Sequence, residues 1–408
     1  MPLSRRDWLK RGALAPAMLI PGVAQAYDVD EVERRLAKSS SVEGVSKLDL
    51  PTPSLILDLD AFEANVAGMA AHAKQHGLQL RPHSKTHKTP EIARRQLKAG
   101  AHGICAATIR EAETMHAAGM AEILITGEQV GVNKIGRLIR LTKAAPETMS
   151  TVDNAEHAEQ LSEAARAAKV TLNVMVDIDP VGRRTGIAPG KKAVALAKRI
   201  DQLEGLRLRG VHGYSGASSH VKGYEARKAH SIQYMTPVIE SFEAMKKAGL
   251  PAEIMSGAST GTYNIDSDLA GMTELQVGSY VFMDVEYRRA GGRSGDTYTD
   301  FSPSLTVLAT VMSKNYDDIA TIDAGLKAFA TDRSFGPEPL IEGVTYSFNG
   351  DEHGRLHLEN ASREVKLGDK VELIVPHCDP NVNLYDRMYA CRGDQVREIW
   401  KIAARGHV

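Results

Sequence analysis

MSTVDNAEHAEQLSEAARAAKVTLNVMVD, residues 149–177, is the unit from which the fold is read. Its first five residues form a short, partly apolar run ending on Asp153. From Asn154 to Ala168 apolar side chains recur at three- and four-residue steps (Ala158, Leu161, Ala165), as on one face of an amphipathic helix. Thr171–Asp177 is again a short apolar run. Strand, helix, strand in this order describe a parallel βαβ unit.

The alternation continues on both sides. Strand-like runs end near His83 (LQLRPH), Ala107 (GICAA), Thr126 (EILIT), Tyr214 (LRGVHGY), Ser256 (AEIMS) and Gly278 (ELQVG), and helical stretches such as Thr108–Ala118 lie between most of them. With the two strands of the opening unit this makes eight, over about 200 residues, which predicts a closed parallel (β/α)8 barrel of TIM type. A doubly wound open sheet shares the alternation, but no GxGxxG follows any strand. After residue 300, Val307–Met312, Ile319–Asp323, Val344–Phe348, Leu356–Glu359 and Val371–Val375 are strand-like runs separated by Gly, Asn and Asp turns. They predict an antiparallel β-domain over 300–408. Pro53–Leu59 (PSLILDL) has no barrel role and is expected to join that domain as a strand within 51–60, leaving 61–299 for the barrel and 27–50 as a linker.

Composition excludes several classes. In 408 residues there are 50 basic and 51 acidic side chains and only 5% aromatics, so no electrostatic or stacking surface for nucleic acid is expected. Three cysteines (Cys105, Cys378, Cys391) give no disulfide framework and no CxxC. Ser4-Arg5-Arg6-Asp7-Trp8-Leu9-Lys10, an apolar run from Gly12 to Ala24 and the small residues Ala24-Gln25-Ala26 read as a twin-arginine signal over 1–26, with a periplasmic mature chain. The run is shorter than the roughly 20 apolar residues that span a bilayer, so no membrane anchor is expected.

Three segments carry chemistry. Arg81-Pro82-His83-Ser84-Lys85-Thr86-His87-Lys88 ends the first barrel strand; if extended, it places Arg81, His83, Lys85 and His87 on one face. A lysine among cations in a barrel mouth would have a lowered pKa, suiting a Schiff base with an aldehyde, although a basic surface turn uses the same residues. Ser256-Gly257-Ala258-Ser259-Thr260-Gly261-Thr262 follows the seventh strand, where barrels of this type often bind phosphate. A phosphate site and a Schiff-base lysine in one barrel describe pyridoxal phosphate. Finally, His377-Cys378-Asp379 places an imidazole and a carboxylate two residues apart, a pair suited to Mn²⁺, Mg²⁺, Co²⁺ or Zn²⁺, whereas His377 with Cys378 would favour zinc.

Together these segments resemble the alanine racemase-like (fold-type III) pyridoxal phosphate enzymes, and among them the D-threonine aldolase and D-serine dehydratase group. RPHSKTHKTP (81–90) is similar to the group's lysine motif, VDIDPVGRRTGI (176–187) to its fifth-strand motif and HGYSGASSH (212–220) to its sixth-strand motif. SGASTGT (256–262) matches the phosphate cup, TELQVGSYVFMD (273–284) the segment after it, and PHCDPNVNLYD (376–386) the metal motif. The resemblance implies cofactor contacts from Lys85, Arg184, Tyr214, Ser256, Gly257, Ser259, Thr260, Gly261 and Gln276. It further implies His220 at the substrate, His83 or His87 as base, His377 and Asp379 as metal ligands, and a homodimer acting on a small D-amino acid. Asp379 stands where the dehydratases resemble one another in a cysteine, which favours cleavage of D-β-hydroxy amino acids to glycine and an aldehyde. Rivals are a D-serine or 3-hydroxyaspartate dehydratase, an amino-acid racemase and a non-catalytic cofactor carrier. Arg183, ahead of Arg184, departs from the group's pattern.

Overall fold

The computed structural model describes residues 45–406, with Arg34 before them; the twin-arginine signal read over 1–26 lies outside the described residues. The opening unit forms as its pattern dictates. β5 (Met149–Val152) leads into the helix Ala155–Ala168, whose first turn is capped by Asn154, its Oδ1 accepting from His157 N at 2.8 Å. Ala158, Leu161 and Ala165 are fully buried, Lys169 ends the helix in the left-handed region (φ 55°), and β6 (Leu172–Asp177) follows.

With β2 (Gln79–Leu80), β3 (Ile104–Ala106), β4 (Ile123–Ile125), β7 (Leu206–Gly213), β8 (Ile254–Gly257) and β9 (Glu274–Leu275), these strands make one eight-stranded parallel sheet in the order β2-β9-β8-β7-β6-β5-β4-β3. The curl closes through a thin seam. His83 bridges Cys105 in parallel, with Cys105 N donating to Pro82 O and His102 N to Leu80 O, each at 2.8 Å. The first strand is therefore shorter than its apolar run suggests. Pro82 has no N–H to donate, and Ser84–Thr86 turns into a 3₁₀ helix. The extended geometry expected for residues 81–87 is corrected accordingly.

The second sheet contains β1 (Ser54–Asp58), β10 (Leu305–Ser313), β11 (Ile319–Ile322), β12 (Glu338–Pro339), β13 (Thr345–Phe348), β14 (Gly354–His357), β15 (Lys370–Ile374), β16 (Arg387–Arg392) and β17 (Gln395–Lys401). β1 joins it, as its position outside the barrel suggests: Ile56 faces Thr306 of β10 antiparallel and Tyr389 of β16 parallel. The sheet is therefore mixed, not wholly antiparallel. The β16–β17 hairpin is an addition to the strands read from sequence. Its charged residues (Arg387, Arg392, Arg397, Glu398) interrupt the apolar alternation of Met388, Ala390, Val396 and Trp400.

The two units meet at the barrel mouth. Val285 N and Glu286 N, just after the last barrel strand, donate to Val375 O (3.1 Å) and Pro376 O (3.2 Å) of the β-domain. No helix among the described residues is long and apolar enough to cross a membrane.

Candidate active site

Lys85 lies in the 3₁₀ turn after β2, and the turn is built by its neighbours. His83 caps it, its Nδ1 accepting from Lys85 N at 3.3 Å, while His83 Nε2 meets Thr126 Oγ1 at 3.0 Å. Both ring nitrogens are thus engaged, and burial followed by the Lys85 charge holds this ring neutral. His87 is fully buried; its Nδ1 accepts from Thr89 N at 3.1 Å, and burial lowers its pKa to about 4. Nε2 of His87 is buried without a hydrogen-bond partner, and both rings shape the lysine turn through Nδ1. Arg81 points beneath the site, Nε on Glu274 at 2.9 Å and NH1 on Glu122 O at 2.7 Å.

The Lys85 ammonium forms an ion pair and hydrogen bond with Asp379 of the β-domain. Burial disfavours its charge, but Asp379 outweighs burial, so the amine lies above its ordinary range and the carboxyl of Asp379 below its own. This corrects the lowered lysine pKa expected from sequence: the decisive neighbour is a carboxylate 294 residues away, not the local cations. Lys85, His83, Thr126, Glu128, Arg184 and Tyr214 line a cavity of ≈ 180 Å³. The Arg184 guanidinium lies 5.4 Å from the centroid of the Tyr214 ring.

The cavity floor is a buried polar chain. Asp177 at the end of β6 accepts from His212 Nδ1 at 2.5 Å, and His212 Nε2 donates to Gln276 Oε1 at 3.2 Å. Gln276 Nε2 donates to Ser256 Oγ at 2.8 Å, and Ser256 donates to Glu274, the partner of Arg81. Burial opposes charge on His212, but Asp177 outweighs it and raises its pKa. Two opposite pairs, Asp177–His212 and Glu274–Arg81, therefore end a chain of neutral hydroxyl and amide links, which is how a barrel interior tolerates charge.

The glycine-rich loop also differs in detail from its sequence reading. Ser256 spends its hydroxyl in this chain, Ser259 Oγ is 3.0 Å from Thr262 Oγ1, and Thr260 Oγ1 accepts from Tyr280 N at 3.0 Å. The groups left for a phosphate are the Thr260 hydroxyl, whose oxygen accepts but whose O–H meets no acceptor, and backbone donors: among the described residues no acceptor meets Thr260 N or Gly261 N. A Cβ on Gly261 would stand 2.1 Å from Ser219 O, and one on Gly257 2.4 Å from Gly213 O, so only glycine fits either place. Those glycines let the loop pack against the neighbouring strand end, the unpartnered N–H groups of Thr260 and Gly261 suit a phosphate, and Lys85 suits an aldehyde. The residues fit pyridoxal phosphate.

At the β-domain face, His377 caps the helix Cys378–Val382. Its Nδ1 lies 2.7 Å from Asp332 Oδ2 and its Nε2 3.9 Å from Glu286 Oε2. His220 Nδ1 is 3.4 Å from Glu286 Oε1, and burial lowers its pKa. Cys378 is buried, and burial, Asp284 and Asp379 push its thiol well up. No group of three or more His, Cys, Asp or Glu side chains gathers as a metal cage among the described residues. An imidazole and an ionised carboxylate fit an open divalent site completed by water or substrate.

Glu128, Asp177, His212, Glu286 and Asp332 escaped the sequence reading. Glu128 and Asp177 did carry a signal, since each lies at the C-terminal end of a barrel strand, where such folds place their site groups.

Residues 57–286 match the model for the alanine racemase N-terminal domain, and residues 304–391 the model for a putative serine dehydratase domain. The chain is 38% identical to a D-threonine aldolase of an Arthrobacter species over 87% of this chain and 93% of that protein. It is 34% identical to a 3-hydroxy-D-aspartate aldolase of Paracoccus denitrificans (strain Pd 1222), over 90% and 95%. The crystal structure of D-threonine aldolase from Filomicrobium marinum superposes with a TM-score of 0.84 at 39% identity, covering 88% of this chain and 97% of that one. With a lysine turn, a glycine-bounded loop of free N–H groups and a β-domain carboxylate at the barrel's C-terminal end, the chain belongs to the alanine racemase-like, fold-type III pyridoxal phosphate enzymes, in the group of the D-threonine and 3-hydroxy-D-aspartate aldolases.

Proposed function

We propose that this protein is a pyridoxal phosphate- and divalent-metal-dependent aldolase that cleaves D-β-hydroxy amino acids of the D-threonine type to glycine and an aldehyde. The contact between Lys85 and Asp379 carries this reading, because it puts the aldehyde-binding amine of the barrel against the carboxylate of an imidazole–carboxylate pair. The names of the relatives, a D-threonine aldolase and a 3-hydroxy-D-aspartate aldolase, support it. Bound at Lys85 and the 256–261 cradle, the cofactor supplies an electron sink for the pair left on Cα. A divalent ion on His377 and Asp379 supplies a Lewis acid for the β-oxygen.

The chain's own groups do the rest. Thr260 N–H, Gly261 N–H and the Thr260 hydroxyl would hold the phosphate, and Arg184, laid over Tyr214, sets one wall of the cavity. His220 differs from His83, His87 and His212 in having no hydrogen bond on Nδ1, and burial keeps it neutral. It is the ring suited to take the β-hydroxyl proton, with Glu286 beside it to stabilise the charge it gains. A dehydratase on the same scaffold would expel hydroxide instead, but Asp379, a carboxylate at the dehydratase cysteine's place, offers with His377 a hard ligand pair over a zinc–thiolate one.

Product analysis on D-threonine separates the two. Glycine and acetaldehyde support the aldolase, whereas a keto acid and ammonia move the protein to the dehydratases. EDTA should abolish cleavage while the visible absorbance of the lysine-bound cofactor persists, and Lys85→Ala should lose both absorbance and turnover. The reading also includes twin-arginine export to the periplasm, supported by Arg5-Arg6 and Ala24–Ala26, and a homodimer, supported by the family resemblance. Cytoplasmic retention after changing both arginines to Lys checks the first, and sedimentation of the holoenzyme the second.

A further inference from the structure

A hydrogen bond outside the metal motif decides which nitrogen of His377 can bind a metal. We propose that Asp332 is the positioning residue of the metal site, holding His377 as the Nδ1–H tautomer with the Nε2 lone pair facing the ion. The proposal rests on the metal reading above. A neutral imidazole has one N–H and one lone pair, so a carboxylate accepting from Nδ1–H leaves Nε2 as the ligand. His377 Nδ1 lies 2.7 Å from Asp332 Oδ2, whereas Nε2 has only Glu286 Oε2 at 3.9 Å, beyond hydrogen-bond reach.

Asp332 comes from the loop after β11, 45 residues before His377, and two sets of contacts fix it there. Arg333 NH1 meets Asp332 Oδ2 at 2.9 Å, while Arg333 NH2 donates to Glu286 Oε2 at 2.8 Å. The helix that follows His377 is pinned to the same loop, since Ala330 N donates to Asn381 Oδ1 at 2.9 Å and Tyr385 Oη to Ala328 O at 2.9 Å. The loop and the histidine therefore move as one piece, and the ring plane is set before any ion arrives. Partners of this kind typically change metal affinity 10–100-fold when removed.

Mn²⁺ titration of the cofactor-loaded protein, followed by the electron paramagnetic resonance of free Mn²⁺, tests the assignment. Asp332→Ala should weaken Mn²⁺ binding roughly 10–100-fold with cofactor absorbance and melting temperature retained. Asp332→Asn, which still offers an acceptor to Nδ1–H, should recover most of the loss. His377→Ala should remove binding. Wild-type affinity in Asp332→Ala while His377→Ala loses the ion would overturn the positioning role alone, as would an Asn variant no better than the Ala variant. Wild-type affinity in both His377→Ala and Asp379→Ala would instead overturn the metal reading on which the proposal stands.

Discussion

Glu128 and Asp177 face each other at the ends of β4 and β6. Burial, and then the Asp177 charge, push the Glu128 carboxyl up to about 8, while Asp177, opposed by burial, is held low chiefly by His212. The pair therefore keeps a proton that the unfolded chain gives up in the ordinary carboxylate range. The native state binds more protons over that interval, so this contribution to stability is complete below the ordinary glutamate range and is lost as pH rises through about 8. Glu128→Gln keeps a donor toward Asp177 without the titration. Melting temperatures of wild type and Glu128→Gln at pH 5.5, 7 and 8.5 should diverge in favour of the variant as pH rises; parallel curves would show that no proton is held there. The carboxylate pair is invisible in sequence because 49 positions separate residues that only the barrel's curl brings together.

The loop after β8 shows what an element adds. Its glycines were legible in sequence, but which of its hydroxyls are taken up within the protein was not. Strand alternation turns Ser256 into the barrel, where Gln276 and Glu274 take its oxygen, and Thr262 turns toward Asp266, at 2.5 Å. The backbone of Gly261 is the tightest point. Gly261→Ala forces a methyl to within 2.1 Å of Ser219 O, a backbone atom that cannot swing away. Overpacking of this kind costs about 1–3 kcal/mol, so the variant should melt lower and bind pyridoxal phosphate at least several-fold more weakly by fluorescence titration. Unchanged cofactor affinity would place the phosphate elsewhere.

The molecule is held together where the β-domain docks on the barrel's outer helices. Trp400 of β17 is 3% exposed, and its ring meets Phe62 edge-on at 5.6 Å. The Arg95 guanidinium lies 4.7 Å above the same ring while its NH2 donates to Glu398 at 2.7 Å. Phe62 belongs to Leu59–Gln75, the helix that follows β1, so one side chain ties both sheets to the first barrel helix. Trp400→Ala should cost about 3–5 kcal/mol, the range for removing a large buried aromatic. The expected signature in a chemical denaturation curve is an earlier transition, with metal affinity per folded molecule preserved. A change below 1 kcal/mol would mean that the junction is held by other contacts.

Local pattern determined the barrel, the place of β1 outside it, the strand-end place of Lys85 and the glycines of the loop after β8, because periods of 2 and 3.6 and the positional needs of glycine and proline act over a few residues. The short first strand follows from Pro82, also a local cause, though its turn into a 3₁₀ helix needed the packing of His83 and Thr126. The charge state of Lys85 was another matter. Its own neighbours in sequence are cations, yet a carboxylate from the β-domain governs it. The choice of His377 nitrogen, the proton on Glu128 and the unlocked ring of His220 likewise depend on side chains tens or hundreds of residues away. Electrostatic and hydrogen-bond terms fall off with distance in space, not along the chain. Only the closed barrel with its docked sheet decides which charges meet.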